Sequence, residues 1–273
     1  MITSADPRYR IDHDYHIHTF LSICSQDEGQ TPRAILESAI QRGLKTISLA
    51  DHYWDERVPC DSAVNRWYQR QDHAHILRSL PLPQAEGVRF LFGCEADMDS
   101  RDTIGLSPAR YDEFDFIVVA TTHFHHTHWG RAGLLTNEAL ARRWVERFDA
   151  VLDSGLPFGK VGIAHLATNL INRRSREDHL ETLDLISRKD LERLFRKAAR
   201  LGVGIELNPY DIELFEPDGE PVLRIFRTAK ACGCKFYLGS DAHSRQDALQ
   251  ANRVFSRGID LLDLKESDKF IPR

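Results

Sequence analysis

No stretch of this 273-residue chain approaches the roughly 18 consecutive apolar residues that a membrane-spanning helix needs. The first residues, Met1 to Asp14, are polar and lack the apolar core of a secretory signal. A basic excess is missing too: 36 Lys and Arg face 41 Asp and Glu, a formal net charge of -5. That balance argues against a chain built mainly to hold nucleic acid, although Arg173, Arg174 and Arg176 form a local basic patch. The five cysteines are scattered, and the Cys232-x-Cys234 pair has no second pair to complete a zinc-finger spacing. Reduced thiols in a cytoplasmic protein are the expectation. Repeats, low-complexity tracts and linker-like segments are also missing, which predicts a single domain over residues 1–273.

What the chain has in quantity is histidine, 13 of them, set on a regular alternation of short apolar runs and amphipathic segments. The runs Tyr15–His18, Thr46–Ala50, Arg89–Cys94, Phe116–Thr121, Val161–Ala164, Gly204–Leu207 and Phe236–Gly239 read as strands. Most are rich in Ile, Val, Leu and Phe without alternation, as in parallel strands covered on both faces. Helical patterns follow them. Thr31 and Pro32 open the first and Gly43 closes it. Others run over Asn137 to Leu152, Ser187 to Leu201 with Gly202 as the stop, Pro221 to Ala231 and Gln246 to Phe255. Seven such units in unbroken succession predict an α/β chain folded as a closed or nearly closed barrel, not an open sheet with two domains. Two longer excursions, Tyr53 to Leu82 and His125 to Thr136, interrupt the rhythm and are candidate functional loops.

On this map the chemistry-bearing residues fall at strand ends. His16 and His18 end the first predicted strand, His52 follows the second, Glu95 the third, His123 the fourth and His165 the fifth, while Asp241 and His243 follow the last. In a β/α barrel these ends converge on one rim, where active sites are built. A lone histidine at a strand end is ordinarily a solvated or capping residue, and Asp241 alone reads as a helix cap. His16 and His18, at i and i+2, share one strand face, and two buried imidazoles without partners would be costly. The recurrence of such residues at strand after strand points to a metal cluster. Imidazole nitrogen and carboxylate oxygen suit Zn, Mn or Fe, with a glutamate free to bridge two ions.

The ordered set His16-Ile-His18-Thr, Leu49-Ala-Asp-His52, Gly93-Cys-Glu95, Thr122-His123, Ala164-His165 and Gly239-Ser-Asp241-Ala-His243 resembles the PHP (polymerase and histidinol phosphatase) family, from about residue 12 to 245. The resemblance implies a distorted TIM-like (β/α)7 barrel with two or three divalent metal ions. By position, His16, His18, Glu95 and Asp241 hold the first ion, Glu95, His123 and His165 the second, and His52 and His243 the third. Many relatives carry one more histidine soon after His-x-His; here Cys24 stands near that place, and Asp27 is a candidate to reach inward instead. The implied activity is a phosphatase acting on a small phosphorylated metabolite through metal-activated hydroxide centred on Glu95, histidinol phosphate being the family's best-known small substrate. Alternatives are a phosphodiesterase or exonuclease on nucleotides, and a non-catalytic metal-binding scaffold. A metal-dependent amidohydrolase shares the His-x-His strand but often has a bridging lysine, for which no strand-end Lys is placed here.

Supporting roles are expected of Asp51, as the carboxylate orienting His52, of Arg173 (with Arg174) as a phosphate grip, and of Asn208, beside Glu206, as a substrate contact. His125, His126 and His128 lie in the loop after His123 and are candidates for substrate contact. His73 and His75 either cover the site or face solvent, and His13 and His179 are structural.

Overall fold

The structure is a computed structural model that describes residues 6–61, 68–127 and 135–273. Part of each long excursion, including His128, therefore lies outside the described residues. Every strand pairing inside the sheets is parallel. One sheet has the order β1-β2-β4, from His13–Ile17, Thr46–Leu49 and Arg89–Leu91. The other runs β3-β5-β6-β7-β8-β9, from His52–Tyr53, Gly93–Asp97, Phe116–Ala120, Val161–Ile163, Gly204–Leu207 and Lys235–Leu238. The sheets are tied where β1 meets the segment after β9: Asp241 N–H donates to His16 O at 2.7 Å and His18 N–H to Ala242 O at 3.1 Å.

Two expected strands divide. The run ending at Ala50 stops at Leu49, and His52–Tyr53 pairs with β5 in the other sheet. The predicted strand Arg89–Cys94 likewise splits at Phe92 into β4 and β5. Glu95 is therefore inside β5, opposite His52 and Val118, and not beyond a strand end. Gly93 makes the step possible: a Cβ there would lie 2.5 Å from Leu49 O and 2.6 Å from Phe116 O. β1 begins earlier than its apolar residues suggest, because His13 and Asp14 are buried by specific partners. His13 Nε2 accepts from Leu238 N–H, and Asp14 pairs with Arg42 at 2.7 Å.

The helices follow their signals closely. Pro32–Arg42 (α1) is capped by Thr31, whose side chain accepts from Ala34 N–H, and ends at Gly43 with φ 73°. Thr136 caps Asn137–Asp153 (α3), and Ser187 caps Arg188–Leu201 (α5), which Gly202 ends with φ 75°. Glu220–Ala231 (α7) matches its pattern, while Arg245–Leu261 (α8) runs past its predicted end at Phe255. The short His73–Ile76 (α2), Arg176–Asp184 (α4) and Pro209–Glu213 (α6) carry too little periodicity to be read from sequence. Apolar helix faces cover the sheets on the outside. Between the sheets lies a second layer of core: Tyr15, Leu91, Phe116, Val118, Tyr237 and Phe270.

Two buried polar groups hold the layers beneath the rim. Arg147, on α3, is fully buried and donates to the carbonyls of Thr121, Asp99 and Met98, joining the ends of β5 and β6 to the helix. His179, on α4, donates from Nε2 to Ala167 O at 2.9 Å and so fixes the turn after β7. The roles of His179 and, at the start of β1, His13 are structural, as the sequence suggested. Burial pushes the His179 pKa down to about 4 from 6.5, with the Ala167 contact opposing. The unfolded chain thus takes up a proton as pH falls through 6.5, whereas the folded protein resists until about 4. Stability present above pH 6.5 is lost across that window, by about 3 kcal/mol from this group. In His179→Gln that portion of the acid destabilisation should vanish; denaturation curves with the same pH slope in both proteins would contradict it.

Candidate metal centre

His16, His18, His52, Glu95, His123 and His165 are all buried, and their side chains meet at one end of the sheets with those of Asp241 and His243. The hydrogen bonds around them decide which ring nitrogen faces inward. His16 Nδ1–H donates to Glu206 Oε1 at 2.7 Å. His18 Nδ1 lies 2.7 Å from Ser22 Oγ, whose own proton goes to Asp51 Oδ1 at 2.7 Å, so the imidazole must be the donor. His165 Nδ1 lies 2.7 Å from Thr122 Oγ1, which donates to the His165 carbonyl, so again the ring donates. His123 Nδ1–H points at Asp97 Oδ1 at 2.7 Å, and His243 Nδ1–H at the Asp241 carbonyl at 2.7 Å. With Nδ1 carrying the proton, Nε2 presents a lone pair.

Those lone pairs converge on other lone pairs. His16 Nε2 and His18 Nε2 are 3.0 Å apart, His18 Nε2 is 3.0 Å from Asp241 Oδ1, and His165 Nε2 is 3.0 Å from Glu95 Oε1. Glu95 Oε2 is buried and accepts no well-aligned hydrogen bond, although His52 Nδ1 stands 2.9 Å away. Electron-rich atoms at these separations repel unless positive charge, from a metal ion or, without one, a proton, sits among them. The electrostatics agree. Burial disfavours an imidazolium, yet Glu206, Asp241 and Glu95 outweigh it and hold the His16 pKa well above its usual value. Glu95 is held well below the usual carboxylate range against the effect of burial, by His52, His16 and His123. The donor set fits divalent cations bound by imidazole and carboxylate.

Among the described residues, three groups have ligand atoms within 4.8 Å of one another: His16, His18 and Glu95; His52, Glu95 and His123; and His18, Cys24, His52 and His243. Glu95 belongs to the first two, the position of a bridge. His165 joins the second through its 3.0 Å approach to Glu95. Two of the clustered residues hold left-handed backbone conformations, His165 with φ 29° and Asp241 with φ 52°. Such geometry persists where surrounding contacts fix it. Here Glu206 Oε2 takes the His165 N–H at 2.7 Å, and His16 O takes that of Asp241.

Several supporting assignments change. Asp51 does not orient His52. Its oxygens take Thr19 N–H, Thr19 Oγ1 and Ser22 Oγ, so it serves His18 through Ser22. Asp97, unremarked in the sequence, holds Nδ1 of both His52 and His123; only its i+2 spacing from Glu95 hinted at it. Asp27 is not drawn into any of the three groups, because its Oδ1 caps the tight turn at Gly29 N–H. Cys24 stands there instead, its Sγ 2.8 Å from His243 Nε2. Asn208 is a buried cap: its Oδ1 accepts Tyr210 N–H and its Nδ2 donates to Glu206. Among the described residues of the Tyr53–Leu82 excursion, Tyr68 reaches the cluster, 3.4 Å from His123 Nδ1. His73 turns to Glu113 and His75 to Leu21 O.

A cavity of about 250 Å³ opens onto the cluster, walled further by His125, His126, Thr168, Leu170 and Tyr210. Among the described residues its lining includes no Lys or Arg; Arg173 is exposed and acts on His125 only as a nearby charge. Burial, with His123 and Arg173, pushes the His125 pKa down to about 2, so this ring is neutral. A broader depression of about 1240 Å³ along α8, lined by Glu213, Arg253 and Arg257 among others, lies away from the cluster.

No family model and no curated protein sequence matches the chain. Solved structures do. The histidinol phosphate phosphatase from Lactococcus lactis subsp. lactis Il1403, complexed with zinc, L-histidinol and phosphate, aligns over 95% of this chain and 98% of that one, with 16% identity and a TM-score of 0.56. The metal-dependent tyrosine phosphatases of Bacillus subtilis and Streptococcus pneumoniae align over 94% and 96%, with 16% identity and a TM-score of 0.39. The phosphotriesterase from Mycobacterium tuberculosis aligns over 99% and 93%, with 12% identity and a TM-score of 0.42. The first of these establishes a shared fold, in line with the PHP resemblance of the sequence motifs.

Glu206 connects the two sides of the cluster, holding His16 Nδ1, His165 N–H and Asn208 Nδ2. Glu206→Gln replaces one acceptor oxygen with a donor and removes a charge. Zinc affinity, read by competition with a chromophoric chelator, should fall about 10–100-fold while the circular dichroism spectrum stays the same. Unchanged affinity would contradict this orienting role.

Proposed function

We propose that this protein is a metal-dependent hydrolase of phosphomonoesters of the PHP type, its two parallel sheets forming the wall of a distorted (β/α)7 barrel. The observation that carries the reading is the convergence of the Nε2 lone pairs of His16, His18 and His165 with the oxygens of Glu95 and Asp241. His16, His18, Glu95 and Asp241 would hold one ion, Glu95, His123 and His165 a second, and His52 with His243 a third. Divalent ions held here supply Lewis acidity, lowering the pKa of water and offsetting charge on phosphoryl oxygens.

The chain's own residues supply order. Glu206, Thr122 and the Ser22–Asp51 pair lock the rings of His16, His165 and His18, while Asp97 aligns His52 and His123. Pre-set donors of this kind reorganise little during reaction. With no Lys or Arg among the described lining residues, the phosphate's charge would fall to the metal ions that the histidines and Glu95 would hold, with Arg173 left for an outer oxygen only. His125, neutral, offers an N–H donor and no cation. The modest cavity and the net charge of -5 favour a small phosphorylated metabolite over a nucleic acid strand. The histidinol phosphate phosphatase that shares the fold makes that ester the first to test.

With zinc or manganese added, a panel of phosphomonoesters including histidinol phosphate and mononucleotides should reveal hydrolysis that chelation abolishes. Glu95→Gln should lower kcat by about 10³-fold, as expected when several kcal/mol of charge stabilisation are lost. A variant at near wild-type rate would remove Glu95 from the centre of the site. Bound metal without hydrolysis of any ester would favour a binding scaffold.

A further inference from the structure

The loop after β1 is pinned from both ends. Ser22 Oγ is bound to Asp51, Ser25 N–H to Ser22 O at 2.8 Å, Ser25 Oγ to His243 O at 3.0 Å, and Phe20 N–H to Gln30 O at 3.0 Å. Between these anchors Cys24 is placed at the mouth of the cavity with its sulfur 2.8 Å from His243 Nε2. His243 commits Nδ1–H to the Asp241 carbonyl, so the nitrogen facing the sulfur is the one with the lone pair. Its ring stacks on His18 at 4.2 Å, which fixes its orientation. His52 brings a further nitrogen into the same 4.8 Å sphere. A thiol and the imidazoles of His52 and His243 thus meet around one point, beside that of His18, and all can act as ligands.

We infer that Cys24 is a thiolate ligand, completing with His52 and His243 a third metal position of mixed sulfur and nitrogen donors. This rests on the metal-centre reading above, and it adds a donor and a preference. A thiolate beside imidazoles selects zinc, cobalt(II) or iron(II) over manganese or magnesium, unlike the imidazole and carboxylate positions held by Glu95. The chain therefore carries sites of two characters, and the sulfur-containing one lies nearest solvent, since Cys24 is exposed while His16, His18 and Glu95 are buried.

The test uses the full-length protein loaded with cobalt(II) or zinc under reducing conditions. Wild type should show a thiolate-to-cobalt charge-transfer band in the near ultraviolet. Cys24→Ser should lose that band and retain one equivalent less zinc after a chelator wash, read by elemental analysis. Cys24→His should recover the zinc equivalent without recovering the band. Metal uptake by the wild type without the band overturns this inference alone. So does a Cys24→Ser protein with unchanged spectrum and stoichiometry. No metal uptake by the wild type overturns it together with the reading on which it rests.

Discussion

His16, His18, His123, His165 and His243 each commit Nδ1–H to an acceptor outside the cluster, which leaves Nε2 of every ring as an acceptor turned inward. The rest of the architecture follows from satisfying that demand. Five outward acceptors must be held in place: Glu206 from β8, Ser22 from the loop after β1, Asp97 from β5, Thr122 after β6 and the carbonyl of Asp241. Glu206 and Asp97 lie within strands, while Thr122, Ser22 and Asp241 lie in the segments that follow β6, β1 and β9. The parallel sheets serve here less as a container than as a rigid frame for proton positions.

Space beneath the cluster is equally constrained. At Gly239 a Cβ would meet Glu206 Oε1 at 1.9 Å and His16 Cβ at 2.7 Å, so only glycine lets Glu206 reach His16. The glycine of the Gly239-Ser-Asp241 motif is thus needed for a carboxylate on the neighbouring strand β8. Arg147 plays the matching part on the other side, binding backbone carbonyls at the ends of β5 and β6 where Asp97 and His123 emerge. Packing, backbone geometry and ligand orientation cannot be changed separately here.

Much of this was legible in the sequence. The apolar runs located the strands to within a few residues, and the caps Thr31 and Ser187 and stops Gly43 and Gly202 located helix ends, because those signals act through local backbone chemistry. The clustered histidines were found through their recurrence at strand ends. Less visible was the division of two strands at Ala50 and Phe92, since a run of apolar residues does not say which sheet each half joins. Asp97 was hidden for a related reason, and Glu206, though placed on the rim by the sequence, gave no sign of the imidazole it holds. An acid within a strand looks like an exposed residue until the fold sets an imidazole against it. Asp51 had the right chemistry with the wrong partner, because it lies in the break between β2 and β3, where Thr19 and Ser22 take its oxygens. For Asp27 the local Asx-turn to Gly29 competes with any reach into the site, and it prevails.

The most direct measurement is anomalous diffraction at the zinc edge from crystals grown with zinc, which locates ions without reference to activity. Peaks should lie between Nε2 of His16 and His18 and the Glu95 carboxylate, and between Glu95, His123 and His165, with Nδ1 of every ring still turned to its outward acceptor. A map without density at those points, or rings rotated to present Nδ1 inward, would contradict the central claim.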